Sequence, residues 1–175
     1  MGGVETFSGY FSRLLTIEVF SFIVFLMVLA FAFRQPFSRA LKVSVGRYLL
    51  LALSFAGVLG LSLRFWESYG FNEVFWIVDP MLWSGGLRPN ANLLLNILLY
   101  IPPATLLVLA RKSWWGVGGV LIALSFSVET IQQYARIGSA DPVDLFANTG
   151  GALLGISLGL ILKRLFPNSV AIPRT

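Results

Sequence analysis

The sequence predicts an all-α integral membrane protein, a bundle of about five transmembrane helices with an outer interfacial aromatic segment. Three observations predict it. The 175-residue chain is 57% hydrophobic and only 12% charged, where a soluble domain carries about 25% charged residues to wet its surface. Its mean hydropathy is +0.80. Its apolar residues fall in five long runs, 14–33, 48–63, 93–110, 114–135 and 143–162, and one bilayer crossing takes roughly 20 such residues.

The first run ends in Ala30-Phe31-Ala32, which looks like a signal-peptide cleavage site. Cleavage there would leave the basic stretch from Arg34 to Arg47 outside, against the charge rule for loops, so the run is read as a retained span. The second run is short. It reaches a crossing length if it continues to Trp66, with Arg64 snorkelling to the headgroups. Residues 64–92 carry Phe65, Trp66, Tyr69, Phe71, Phe75, Trp76 and Trp83. Aromatic rings favour the headgroup zone, so this segment is expected to lie along the outer surface as an anchor. In the third run, Pro102 and Pro103 remove donors for the carbonyls of Leu98 and Leu99 and predict a kink. The expected organisation is an N-terminal two-helix hairpin with the interfacial segment (1–92), a three-helix core (93–165) and a cytoplasmic tail (166–175).

Loop charge orients the bundle. Arg34, Arg39, Lys42 and Arg47 join runs one and two, Arg111 and Lys112 join runs three and four, and Lys163, Arg164 and Arg174 follow run five. Nine of the 13 basic residues thus share one side, which the positive-inside rule makes cytoplasmic. The N-terminus is then outside and the C-terminus inside. The acidic residues, among them Glu18, Glu129, Asp141 and Asp144, fall at the other face.

The chain has no cysteine and no histidine. Disulfides, Cys/His zinc sites and Ser-His or Cys-His nucleophile pairs from this chain are therefore excluded. The net charge of +5 reads as loop charge and not as a nucleic-acid surface.

The polar residues of the last three runs gather at the outer ends. Ser125, Glu129, Gln132 and Arg136 lie along one stripe of run four. A carboxylate a turn or two inside a membrane helix is costly unless it faces other helices or water, so Glu129 marks either an interhelical lock or a functional site. Asp141-Pro142 reads as an N-cap and first helical position opening run five. Asp144 sits in its first turn, and Asn148 follows on the same face. Asn92 and Asn96 stand near the outer end of run three. Gly151, Gly155 and Gly159 form a double small-xxx-small pattern that admits a close neighbour, expected to be run four. Arg136 is expected to pair with Asp141 or Asp144. The surplus of carboxylates suits Glu129 to general acid or base work, or the cluster to a hard cation held through oxygen.

These residues resemble the VanZ-like family of bacterial membrane proteins. The matching stretches are Asn96-Ile-Leu-Leu-Tyr-Ile-Pro102, Ser125 to Glu129-Thr-Ile-Gln132, Arg136, and Asp141-Pro-Val-Asp144-Leu-Phe-Ala-Asn148 with the glycine-rich helix to Gly155. The family pattern has glycine soon after the proline where this chain has Pro103-Ala104. The resemblance covers 92–162 and implies a cell-envelope protein. The founding member is associated with low-level resistance to the glycopeptide teicoplanin, and the family implies no reaction.

Two readings follow. In the first, the cluster binds or modifies an outer-leaflet lipid or a lipid-linked envelope precursor such as a glycan carrier. Glu129 and Asp144 are then the catalytic candidates, and Asn96, Gln132, Arg136, Asp141 and Asn148 the substrate-binding ones. In the second, the protein is a non-enzymatic membrane module whose cluster holds the bundle or a partner protein together. Metal, cofactor and oligomeric state are unknown at this level.

Overall fold

The computed structural model describes residues 16–63, 87–110, 112–135, 137 and 141–167. The described residues form six helices: α1 (Ile17–Ala32), α2 (Arg34–Leu41), α3 (Val45–Ser62), α4 (Leu87–Leu109), α5 (Trp114–Ala135) and α6 (Pro142–Leu165). Four of them, α3 to α6, are long and apolar enough to cross a membrane, and α1 with α2 makes a fifth candidate, bent by 75°. The expected all-α bundle of about five spans is what the chain forms. The aromatic segment from 64 to 86, Arg111, Arg136 and the tail from 168 lie outside the described residues.

Local sequence sets the helix ends. Thr16 and Ser44 cap α1 and α3 by accepting from the backbone N–H groups of Val19 and Arg47. Both satisfy donors that the first turn of a helix leaves without intrahelical acceptors. The basic stretch after run one, expected as a loop, contains the short helix α2. Pro36 is tolerated there because it sits in the first turn, where its missing N–H costs no hydrogen bond. Lys42 ends α2 in the left-handed conformation, with φ 55°. The α4 helix begins at Leu87, earlier than the apolar run, and continues through Pro102 and Pro103.

The most extensive helix pairing is α4 with α6. Gly151, Gly155 and Gly159 of α6 are all buried, and they face α4. A Cβ on Gly151 would run into the carbonyl oxygen of Ile97, and one on Gly155 into that of Ile101. On Gly159 it would come within 2.8 Å of the Val108 Cβ. The glycine stripe therefore seats run three, not run four as the sequence was expected to give. Glycine marks that some backbone comes close without saying which. Thr105 on α4 adds a buried hydrogen bond across this seam, its hydroxyl donating to the Gly155 carbonyl at 3.0 Å. Around it sits the core of Val58, Tyr100, Ala104, Val108, Val117, Leu121, Ala152 and Ile156. Helix α5 packs against both α6 and α4, and the α1–α3 pair closes the bundle against α4.

Matched substitutions test this seam. Gly155→Ala places a methyl against the α4 backbone and is expected to destabilise the bundle by about 1–3 kcal/mol, the usual range for overpacking. Gly150→Ala, five residues earlier on the same helix, meets nothing within 4 Å and is expected to stay within about 0.5 kcal/mol of the parent. Reversible unfolding in mixed micelles measures both. Equal effects would mean that α4 and α6 do not approach this closely.

Candidate functional site

The polar residues of α4, α5 and α6 meet where α4 and α6 begin and α5 ends. Arg34, Arg39, Lys42, Arg47, Lys112, Lys163 and Arg164 occupy the opposite helix ends, whereas Arg88 stands in the first turn of α4 at the end where the polar residues meet. The arrangement follows from alternating helix direction and the α4–α6 seam.

Asp141 and Pro142 open α6 as predicted. The Asp141 carboxylate accepts from the Val143 N–H at 2.8 Å, and Pro142 takes a first-turn position. The same turn serves a second purpose. Glu129, 2% exposed, accepts the backbone N–H of Asp141 at 3.0 Å. A helix-terminal donor thus meets a carboxylate from α5, a favourable pairing of a negative group with the positive end of the helix dipole. Asp141 acts here through its cap and its amide, which is the structural role its position announces.

Asp144 points from the first turn of α6 toward α4. The Asn92 amide donates to its carboxylate at 3.4 Å, and Asn96 lies within interaction range of the same group. Asp144 and Asp141 are also close enough to Glu129 to act on it electrostatically. Three carboxylates from two helices therefore share one end of the bundle. Among the described residues, no group of three or more potential ligands is placed to hold a metal ion.

Asn148 lies one turn deeper, buried, and its amide donates to the Ser125 hydroxyl at 2.8 Å. This bond ties α6 to α5, so run five does meet run four, through Asn148 and not through its glycines. Among the described residues, the Asn148 Oδ1 is buried at this level without a hydrogen-bond partner, while the buried Tyr100 hydroxyl is within hydrogen-bond reach of Ser125. Tyr100, 1% exposed, lies beside Ser125. Sequence reasoning passed over it as a site residue, although its spacing of four from Asn96 and eight from Asn92 puts all three on one face of α4.

Gln132 goes elsewhere. Its amide donates to the Ser62 carbonyl at 2.9 Å, satisfying a backbone acceptor near the C-terminal end of α3. It joins the α3 end to α5 and is not placed among the carboxylates. Arg136, expected to neutralise one of the aspartates, lies outside the described residues.

A family model described as VanZ/LLP1 matches residues 18–163, most of the chain. No curated protein and no solved structure matches it significantly.

A double-mutant cycle tests the buried link between α5 and α6. Ser125→Ala, Asn148→Ala and the double variant are expected to give a coupling energy of about 0.6–1.7 kcal/mol, as for interhelical hydrogen bonds in lipid. Strict additivity of the two single effects in an unfolding assay would show that the two side chains do not meet.

Proposed function

The chain belongs to the VanZ/LLP1 family, and from that premise we propose that it binds the polar part of an outer-leaflet lipid or lipid-linked glycan at the Glu129–Asp144 cluster. The supporting observation is the incomplete satisfaction of this buried polar set. Among the described residues the buried Asn148 carbonyl oxygen has no hydrogen-bond partner, one turn from the carboxylates of Asp144 and Glu129. A lock between helices gains most when every member is satisfied, because an unpaired polar group in a low-dielectric interior costs about 1–3 kcal/mol. An unpaired acceptor and neighbouring carboxylates call for a ligand that donates hydrogen bonds, such as sugar hydroxyls or a headgroup hydroxyl or ammonium.

The proposed roles follow the geometry. Glu129, held by the Asp141 amide, is the group for proton transfer to or from a bound hydroxyl. Asp144, steadied by Asn92, orients a hydroxyl or cation beside it. Asn96 and Asn148 supply hydrogen bonds, and Arg136 is proposed to hold an anionic part of the headgroup. The concentration of basic residues at the opposite helix ends supports an outward-facing cluster. The antibiotic association implied by family resemblance fits a ligand of the cell envelope.

A second reading has its own observation. The Asp141 N–H to Glu129, Asn148 to Ser125 and Gln132 to Ser62 hydrogen bonds all join different helices or a helix to a turn. On that reading the cluster holds the bundle, or a partner protein, together. Isosteric variants separate the two. Glu129→Gln keeps an acceptor for the Asp141 amide, and Asp144→Asn keeps one for Asn92. If the site binds an envelope lipid, both variants accumulate and unfold like the parent, yet lose its effect on the cellular lipid profile and on teicoplanin susceptibility. Full retention of both effects at matched protein levels would remove the binding reading. Lost stability in both would support the structural one.

A further inference from the structure

The opposite end of the bundle holds a second feature, independent of the carboxylate cluster. A cavity of about 350 Å³ lies between α1, α2, α3 and α4, lined by Leu26, Leu41, Tyr48, Phe55, Leu59 and Leu107 among others, all apolar or aromatic. Its lining on α3 follows the positions 48, 51, 52, 55, 56 and 59, a single stripe of i, i+3 and i+4 spacing. At 1.5 Å per residue this stripe is about 16 Å long. That is close to half of a hydrocarbon core about 30 Å thick, the depth of one leaflet.

One end of the groove carries charge. Leu41 is the last residue of α2 and Tyr48 lies in the first turn of α3, so the wall there is made by the basic stretch itself. Arg39 and Lys42 are exposed beside Leu41. Arg34 is turned away to the Phe31 carbonyl and ring. The 75° bend between α1 and α2 turns α2 away from the direction of α1. If α1 crosses the membrane, α2 lies nearer its plane, at headgroup level. There Phe37 stacks on Tyr48, with ring centroids 6.2 Å apart, and fixes α2 over the head of α3.

We infer that this groove holds one acyl chain of an anionic phospholipid, with Arg39 and Lys42 on its phosphate. An apolar slot as deep as a leaflet accepts the chain. Two exposed cations at its interfacial end select the headgroup, each basic residue near an anionic membrane surface being worth about a fivefold gain in binding. The site uses none of the residues assigned to the carboxylate cluster, so either can fail without the other.

Native mass spectrometry of the full chain in mild detergent tests it, with phosphatidylglycerol and phosphatidylcholine of identical acyl chains as probes. The parent is expected to retain phosphatidylglycerol roughly 25-fold better, the product of two fivefold contributions. Arg39→Gln with Lys42→Gln is expected to bring the two lipids to parity. Ala52→Phe, which fills the slot, is expected to weaken both. The inference is overturned if the parent binds both lipids equally, a comparison that needs no variant to fold. It is overturned also if millimolar inorganic phosphate displaces the phosphatidylglycerol, which would make the site one for a free anion. A lipid-free dimer as the species observed would assign the groove to a second copy of the chain.

Discussion

Where α6 crosses α4, the two backbones approach within the space that a single methyl group would need. Gly151 lies against the carbonyl of Ile97 and Gly155 against that of Ile101. Lipid tails are as apolar as leucine, so membrane helices gain little from hiding apolar side chains from lipid; close packing and hydrogen bonds hold them together. The glycine stripe supplies the packing over three turns of helix, and the Thr105 hydroxyl supplies a bond across it. The positions of the other polar residues follow from this seam. It fixes the register of α4 on α6, and with it which asparagines of α4 stand opposite Asp144.

That register explains why the carboxylate end is built as it is. With Gly151 seated on Ile97, the first turn of α6 lies beside the preceding turns of α4, which places Asp144 next to Asn92 and Asn96. Helix α5 then packs against both α4 and α6. Glu129 reaches the backbone amide at the α6 N-terminus, and Ser125 reaches Asn148 one turn below. The Glu129 contact uses a backbone N–H that the helix terminus leaves without an intrahelical partner, and the other two join side chains across helices. Most of the described basic residues lie at the other helix ends, where a charged side chain is least costly because it can reach the headgroups.

Most of the architecture was legible in the sequence because the signals were physical and local. Five apolar runs gave the spans, and Asp141-Pro142 gave the start of α6 with its cap. The site was half legible. Glu129, Asp144, Asn96 and Asn148 stand out because polar residues in apolar runs are rare, and the fold brings them to one end. What the sequence could not supply was pairing. A glycine stripe is equally compatible with any neighbouring helix, so its partner α4 was not readable. Gln132 shares a helical stripe with Glu129, yet its amide, a donor where Glu129 is an acceptor, reaches the Ser62 carbonyl instead. Tyr100 looks like an ordinary core aromatic, and only its buried hydroxyl beside Ser125 distinguishes it.

The α2 helix shows the same limit at the other end of the bundle. Its run of Arg34, Gln35, Pro36 and Arg39 reads as a charged loop, and for setting orientation that reading is sufficient. The structure adds that α1 breaks by 75° before it and that Ser38 is buried while Arg39 is exposed. A loop would leave those charges free to sample the headgroup region. A short helix pinned by the Phe37–Tyr48 stack holds them at fixed positions over the end of an apolar slot. Fixed charge beside fixed apolar depth can discriminate among lipids, whereas mobile charge can only attract them, and that difference separates a lipid site from a basic loop that merely orients the protein.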